Sequence, residues 1–265
     1  MNKSKIDWTD YSWNPITGCR HNCPYCYADR QVKRFSGDIR LNKASGQGQY
    51  DKEKGLHILD KPFVTREGRA LNYPFGFEPT LHKYRFDWPT KIKFGRNVFV
   101  GSMADMFGEW VPDEWIEMVF EACDKSPQHN YMFLTKNPKR YMELADKGIL
   151  RAKNNFWYGT STPTPGTEFF WHEQLNTFVS IEPILAPWPE GTPDEIVRKV
   201  NWVIIGAETG NRKGKIVPQR EWIVELVNQC ISAKAPVFLK DNLQEVMGKG
   251  YDLKPLQEFP ESLKR

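Results

Sequence analysis

The sequence predicts an α/β protein built on a partial, open parallel β/α barrel of about six to seven strands. From residue 96 onward the chain repeats a cycle: a short run of branched and aromatic residues, a small or charged polar residue, then a helical stretch. Continuous apolar runs of this kind suit strands buried on both faces. Alternating β and α segments imply a parallel sheet with right-handed crossovers. With a first strand near the N-terminus, about seven strands are countable, one short of a closed eight-stranded barrel. There is no internal repeat beyond the β/α cycle and no low-complexity tract.

Tyr11, Trp13 and Ile16 alternate with polar residues and read as a short first strand ending in a turn at Asn14-Pro15. Ala28, Val32 and Phe35 then fall at helical spacing, which predicts a helix from near Tyr27 that stops before Gly37. The later strands are read at Val98-Phe99-Val100, Tyr131-Met132-Phe133-Leu134, Phe156-Trp157-Tyr158, Thr177-Phe178-Val179, Trp202-Val203-Ile204-Ile205 and Val237-Phe238-Leu239. Between most of them lie punctuated helices. Pro112 and Asp113 open one carrying Trp115, Val119 and Ala122; Asn137-Pro138 opens another that closes at Gly148; Pro218 opens a third with the stripes Trp222, Leu226, Cys230 and Ile223, Val227, Ile231. The link before Thr177 is too short and proline-rich to predict a helix.

Residues 36–95 break this rhythm and read as an insertion or lid within a single domain spanning 1–265. Basic residues, Arg34 just ahead of it and Arg40, Lys43, Lys52, Lys54, Lys61, Arg66, Arg69, Lys83 and Arg85 within it, are interleaved with Tyr50, Phe63, Tyr73, Phe75, Tyr84, Phe86 and Trp88. Such a mixture grips phosphates and stacks on bases. Its other reading is a solvated excursion with a small core of its own, because Asp38, Asp51, Glu53, Asp60, Glu67 and Glu78 dilute the charge.

A chain of 265 residues suits one large domain, which buries about 70 to 75% of its unfolded surface. The net charge of +4, from 37 basic and 33 acidic residues, permits an anionic partner without arguing for one. No apolar run approaches the length of a membrane span, and Met1 to Asp10 is polar and charged, which predicts a cytoplasmic protein.

The chemistry concentrates in Gly18-Cys19-Arg20-His21-Asn22-Cys23-Pro24-Tyr25-Cys26-Tyr27, which holds three of the five cysteines. Thiolates are soft metal ligands, and three on one tight loop can converge on a metal centre. A closed zinc site wants a fourth ligand and an ordinary iron-sulfur cluster a fourth cysteine, so one metal position is left open. A zinc knuckle completed by His21 or His57 is an alternative, and disulfide pairing a weaker one. Cys123 and Cys230 fall on apolar helical stripes, where a free cysteine behaves as a small hydrophobe.

The three-then-two spacing, with Tyr25 before the last cysteine, resembles the signature loop of the radical S-adenosylmethionine (SAM) superfamily. Five further stretches extend the resemblance: Trp8-Thr9-Asp10 with Trp13-Asn14-Pro15, Gly101 to Phe107, Leu134 to Pro138, Val179 to Pro183, and Gly206 to Gly210. They are similar to a phage-associated radical SAM family, catalogued mainly as a domain of unknown function and distantly similar to spore photoproduct lyase. The resemblance implies that Cys19, Cys23 and Cys26 hold three irons of a [4Fe-4S] cluster and are the catalytic cysteines. It further implies that SAM chelates the fourth iron, that an external donor of flavodoxin or ferredoxin type supplies electrons, and that the fold is a partial barrel.

In parallel α/β sheets the active site lies at the carboxyl ends of the strands. The polar residues after each apolar run therefore form a list: Ser102 and Asp105, Thr135 and Lys136, Thr160 and Ser161, Ser180 and Glu182, Glu208, and Lys240 with Asp241. Solvated loop positions are the alternative for each residue taken singly. By the resemblance, Asp105 or the local carbonyls of Gly101-Ser102-Met103-Ala104-Asp105 take the SAM ammonium, in place of the usual Gly-Gly-Glu. Thr135, Lys136, Ser180 and Glu182 are candidates for its ribose and carboxylate, while Gly206-Ala207-Glu208 loosely resembles the adenine-contacting motif. Tyr25 joins Ser102, Asp105, Thr135, Lys136, Ser180, Glu182 and Glu208 as a cofactor-binding candidate.

The expected function is a radical SAM enzyme of lyase or modification chemistry, acting on a nucleic acid or nucleotide. Its alternatives are a peptide or small-metabolite substrate, or a non-enzymatic metal-binding module that recognises nucleic acid. No Gly-x-Gly-x-x-Gly fingerprint and no second cysteine cluster are present, which disfavours a dinucleotide site and sulfur insertion.

Overall fold

The computed structural model describes residues 1–191 and 194–264. Its strands are β1 (Asn2–Lys3), β2 (Tyr11–Trp13), β3 (Ile16–Thr17), β4 (Gln49–Asp51), β5 (Leu56–Leu59), β6 (Phe63–Val64), β7 (Ala70–Leu71), β8 (Thr80–His82), β9 (Asn97–Val100), β10 (Asn130–Thr135), β11 (Phe156–Ser161), β12 (Asn176–Ile181), β13 (Trp202–Ile205) and β14 (Val237–Leu239). The helices are α1 (Tyr27–Phe35), α2 (Ile39–Ala44), α3 (Asp113–Asp124), α4 (Pro138–Asp146), α5 (Glu195–Lys199), α6 (Arg220–Ala233) and α7 (Gln244–Met247).

A mostly parallel sheet runs β1-β2-β9-β10-β11-β12-β13-β14. The strands from β2 onward pair in parallel, and β1 pairs antiparallel with β2 at one edge. Side chains alternate between its faces, as the two-residue period of a strand requires. One face carries Phe99, Met132, Trp157, Phe178, Trp202, Ile204 and Phe238, packed with Trp8 from the N-terminal segment and Leu263 from the C-terminal one. On the other face, Val98, Val100, Tyr131, Phe133, Phe156 and Tyr158 meet α3 and α4. Val179, Ile181, Val203, Ile205, Val237 and Leu239 continue that face toward α5 and α6. The strands are thus covered on both sides, which is why they read as unbroken apolar runs.

The helices follow their punctuation. Asp113 and Glu114 occupy the first turn of α3, where acidic side chains meet the positive end of the helix dipole. Pro138 opens α4, and Gly148 follows it in the left-handed region. Helix α6 begins at Arg220 after Gln219, two residues later than the proline suggested. Its Ile231 and the Phe35 of α1 are exposed, so the apolar stripes are narrower than the sequence implied. The link between β11 and β12 contains no helix.

The first strand is shorter than predicted: β2 ends at Trp13, and Ile16 belongs elsewhere. Pro15 offers no N–H to continue the ladder, and Ile16 pairs instead with Leu81 in a second sheet, β3-β8-β5-β4. Apart from β3, this small sheet, the β6-β7 ribbon and α2 make up residues 36–82 together with their connections. Leu59, Phe63, Leu71 and Phe75 form a local core there, while Leu56 and Leu81 join the main one.

Candidate active site

Parallel pairing brings the carboxyl ends of the strands to one edge of the sheet, and a cavity of about 350 Å³ opens there. Every residue expected to bind cofactor lines it: Cys19, Cys23, Tyr25 and Cys26 from the loop after β3, Ser102 and Asp105 after β9, Thr135 and Lys136 at the end of β10, Ser180 and Glu182 at the end of β12, and Glu208 after β13. Ser161 and Lys240 line it as well. Thr160 and Asp241 do not: the Thr160 hydroxyl is buried and accepts the Phe170 N–H, and Asp241 accepts from the Gln257 amide.

The three-cysteine loop is gripped from several sides. The Gly18 N–H donates to the Met103 carbonyl at 2.9 Å, and the Cys19 N–H to the Phe77 carbonyl at 3.1 Å. Gly18 has φ +91°, and a Cβ on it would sit 2.4 Å from the Glu78 carbonyl oxygen, so only glycine fits this approach. Cys26 caps α1 through its sulfur, which accepts the Asp29 N–H at 3.4 Å. Arg20 Nη2 donates to the carbonyls of Lys54 (2.7 Å) and Gly55 (2.9 Å), tying the loop to the turn between β4 and β5.

All three thiols are free and half-buried. Burial pushes the Cys19 thiol up to about 12 and raises that of Cys23, so without a bound cation these two thiols stay protonated. Among the described residues no three His, Cys, Asp or Glu side chains are grouped to hold a single metal ion. In a polynuclear cluster each thiolate takes a different metal atom, so its ligands need not meet at one point. Three soft donors around a shared cavity fit such a group.

The charges of the cavity are mostly neutralised within the protein. Glu182 pairs with Lys240 at 2.5 Å, and Glu208 is held bidentately by Arg212 at 2.7 and 2.8 Å. The Arg212 hydrogen bonds hold the Glu208 carboxyl below its usual range. The Asp105 carboxylate accepts from His21, Thr135 and the amides of Lys136 and Phe107. Lys136 differs: its Nζ lies 5.4 Å from the Tyr25 ring centre and donates to the Ser161 hydroxyl at 2.6 Å, with no carboxylate in ion-pair range among the described residues. Lys136 therefore presents an ammonium with no direct ion-pair partner among the described residues beside the cysteine loop.

Several contributors were not legible as such in the sequence. Asn14 Oδ1 accepts from the Met103 N–H at 2.9 Å and the Ser102 hydroxyl at 3.2 Å, organising the turn after β9. The Tyr27 hydroxyl donates to the Ser102 carbonyl at 2.5 Å. Lys5, Ile6, Trp8, Phe77, Phe99 and Leu134 are among the other wall residues. Asn14 and Trp8 stood in resemblance motifs without an assigned task, and nothing in the sequence marked Lys5. Within the insertion, Arg85 is buried and donates to the Asn14 carbonyl at 2.9 Å and the Tyr84 hydroxyl at 3.0 Å, which removes it from the phosphate-gripping set. Phe63 and Phe75 are likewise core residues, not stacking faces.

Solved structures of spore photoproduct lyase are similar in fold. One mutant of that enzyme aligns with TM-score 0.46 and 13% identity, covering 93% of this chain and 76% of that one. Another mutant, with bound AdoMet and dinucleoside spore photoproduct, aligns with TM-score 0.48 and 11% identity over the same shares. No curated protein matches the sequence. The family model described as protein of unknown function (DUF5131) matches residues 3–247, and with nearly the whole length covered the chain belongs to that family.

Proposed function

We propose that this chain is a radical SAM enzyme whose Cys19, Cys23 and Cys26 hold a [4Fe-4S] cluster, with SAM in the remainder of the cavity. The observation that carries the reading is the opening of three free, closely spaced thiols onto a cavity that strand-end polar residues also line. When bound and reduced, the cluster would supply the electron that cleaves SAM to a 5′-deoxyadenosyl radical, which takes a hydrogen atom from substrate. Lys136 supplies the cation for an anionic group, and the Ser102, Thr135 and Ser180 region supplies polar contacts. The apolar wall of Ile6, Trp8, Phe99 and Leu134 excludes water from that chemistry.

Further features agree with this reading. Lys5, which follows one edge strand, and Lys240, which follows the other, line the same cavity, and the Asp241 N–H donates to Asp7 Oδ2 at 3.0 Å. Such closure across the open side supports a sheet curled into a partial barrel. No helix among the described residues is long and apolar enough to cross a membrane, in keeping with an enzyme that works in the cytoplasm and takes electrons from a flavodoxin or ferredoxin type donor.

The substrate in this proposal is a nucleic acid or nucleotide, with residues 36–95 as a lid. Lys52, Lys54, Arg66 and Arg69 are exposed, and Arg20 ties the Lys54 turn to the cysteine loop. A peptide or small metabolite is the alternative substrate.

A second reading is a non-enzymatic Cys3His zinc module, favoured by one contact: His21 Nε2 donates to Asp105 Oδ2 at 2.8 Å, as metal-ligating histidines commonly do through their other nitrogen. Anaerobic reconstitution separates the two. The enzyme reading expects about four irons per chain, lost in Cys19→Ala, Cys23→Ala and Cys26→Ala, and 5′-deoxyadenosine released from SAM under a strong reductant. Zinc uptake with no SAM cleavage would overturn it.

A further inference from the structure

The buried Asp105 carboxylate is already saturated. Its Oδ2 accepts from His21 Nε2 at 2.8 Å and from the Lys136 N–H at 2.8 Å. The Phe107 N–H reaches Oδ1 at 3.1 Å, and the Thr135 hydroxyl spans both oxygens at 2.8 and 3.0 Å. A buried charge is tolerated when its lone pairs are all engaged, and little capacity then remains for a ligand ammonium. What the carboxylate does is join three separate segments: the cysteine loop, the turn after β9 and the end of β10.

The loop is held a second time from the same strand end. Lys136, whose backbone Asp105 fixes, places its ammonium over the Tyr25 ring. His21 precedes Cys23 and Tyr25 follows it, so the two grips flank the middle cysteine. Trp110 packs edge-on against the His21 ring with centroids 4.9 Å apart, which restricts the imidazole further.

We propose that Asp105 is a positioning residue that, through His21 and the Lys136 backbone, sets the three-cysteine loop in place before any metal binds. Ordering the loop in advance removes an entropic cost from cluster capture. The assignment of that loop to a cluster rests on the enzyme reading above; the grip itself is measurable without metal.

The experiment is amide hydrogen exchange on the metal-free full-length protein, read at Cys19 and Cys26, whose N–H groups donate to the Phe77 and Cys23 carbonyls. In His21→Ala these two amides should exchange roughly tenfold faster or more, the loss of one charge-assisted hydrogen bond from a local opening. His21→Gln, which keeps an N–H donor for Asp105, should stay close to wild type. Unfolding midpoints of both variants serve as the fold control. After anaerobic reconstitution, His21→Gln should hold as much iron as wild type and His21→Ala less. Unchanged exchange in His21→Ala would overturn the proposal, as would equal loss of metal in both variants, which would make His21 a ligand. If exchange behaves as expected but the wild type takes up no cluster, the enzyme reading fails and the positioning role stands.

Discussion

Lys240 reaches Glu182 across the end of the strand that separates theirs: Nζ lies 2.5 Å from Oε1, and the residue passed over is Gly206. A Cβ at Gly206, just after β13, would sit 2.9 Å from Lys240 Cδ and 3.1 Å from Glu182 Cδ, so an added methyl there would push both side chains of the pair aside. Both side chains are largely buried, and removing one partner strands the other's charge. Lys240→Met should cost about 1 to 3 kcal/mol, and Lys240→Met with Glu182→Leu less than the sum of the single changes. Denaturant unfolding of the four proteins measures this, and simple additivity would mean that the pair is not coupled.

Gly18→Ala should damage the cysteine loop specifically. The position combines φ +91° with a 2.4 Å approach to the Glu78 carbonyl, a strain of about 1 to 3 kcal/mol. Gly148→Ala is the control, with φ +70° and open space around the added methyl. Both variants should lose stability, but only Gly18→Ala should lose iron on reconstitution.

Cys123 and Cys230 are fully buried on α3 and α6, and burial raises both thiols above the usual range. Alanine at either position should cost of order 1 kcal/mol and leave iron content unchanged. Iron loss in either variant would reveal a ligand missing from the present assignment.

Basic residues of the insertion divide into two kinds. Arg85→Ala removes the partner of several buried acceptors and should cost about 2 to 4 kcal/mol, with no effect on salt dependence. Lys52, Lys54, Arg66 and Arg69 are exposed; replacing them together by Gln should weaken nucleic-acid binding and flatten its salt dependence, with the unfolding midpoint held. Absence of any wild-type binding at low salt would sink the nucleic-acid proposal and favour the peptide or metabolite alternative.

Asp113 ties the start of α3 to α4 through Arg140 and Lys147 at 2.5 and 2.7 Å. The Lys147 hydrogen bond, with desolvation opposing it and Arg140 adding to it, holds the carboxyl below its usual value of 3.8. A depressed carboxyl stabilises the fold above the unfolded value and loses that contribution as pH falls through the folded one. The stability gap between wild type and Asp113→Asn should therefore be full near neutrality and close below pH 3.8. A gap that persists at lower pH would assign the effect to packing.

The sequence by itself determined the parallel strands of the main sheet, the four helices α1, α3, α4 and α6, and much of the cavity's polar lining. Strands covered on both faces must be apolar throughout, so runs such as Trp202 to Ile205 declare themselves, and proline or asparagine at helix starts marks the segments between. Because parallel strands end at one edge, a residue such as Ser180 or Glu208 that follows an apolar run has its place in space set by its place in the chain.

Tertiary structure alone decided which of those residues are free to meet a ligand. Asp105 finds His21 across 84 positions of sequence and Thr135 across 30, and Arg85 finds Asn14 across 71. It likewise decided that Ile16 leaves the first strand to pair with Leu81. Local propensity and spacing act over a turn of helix or a few strand residues, whereas the partner of a charge or of a short edge strand depends on which distant segments the packed core brings within hydrogen-bonding range.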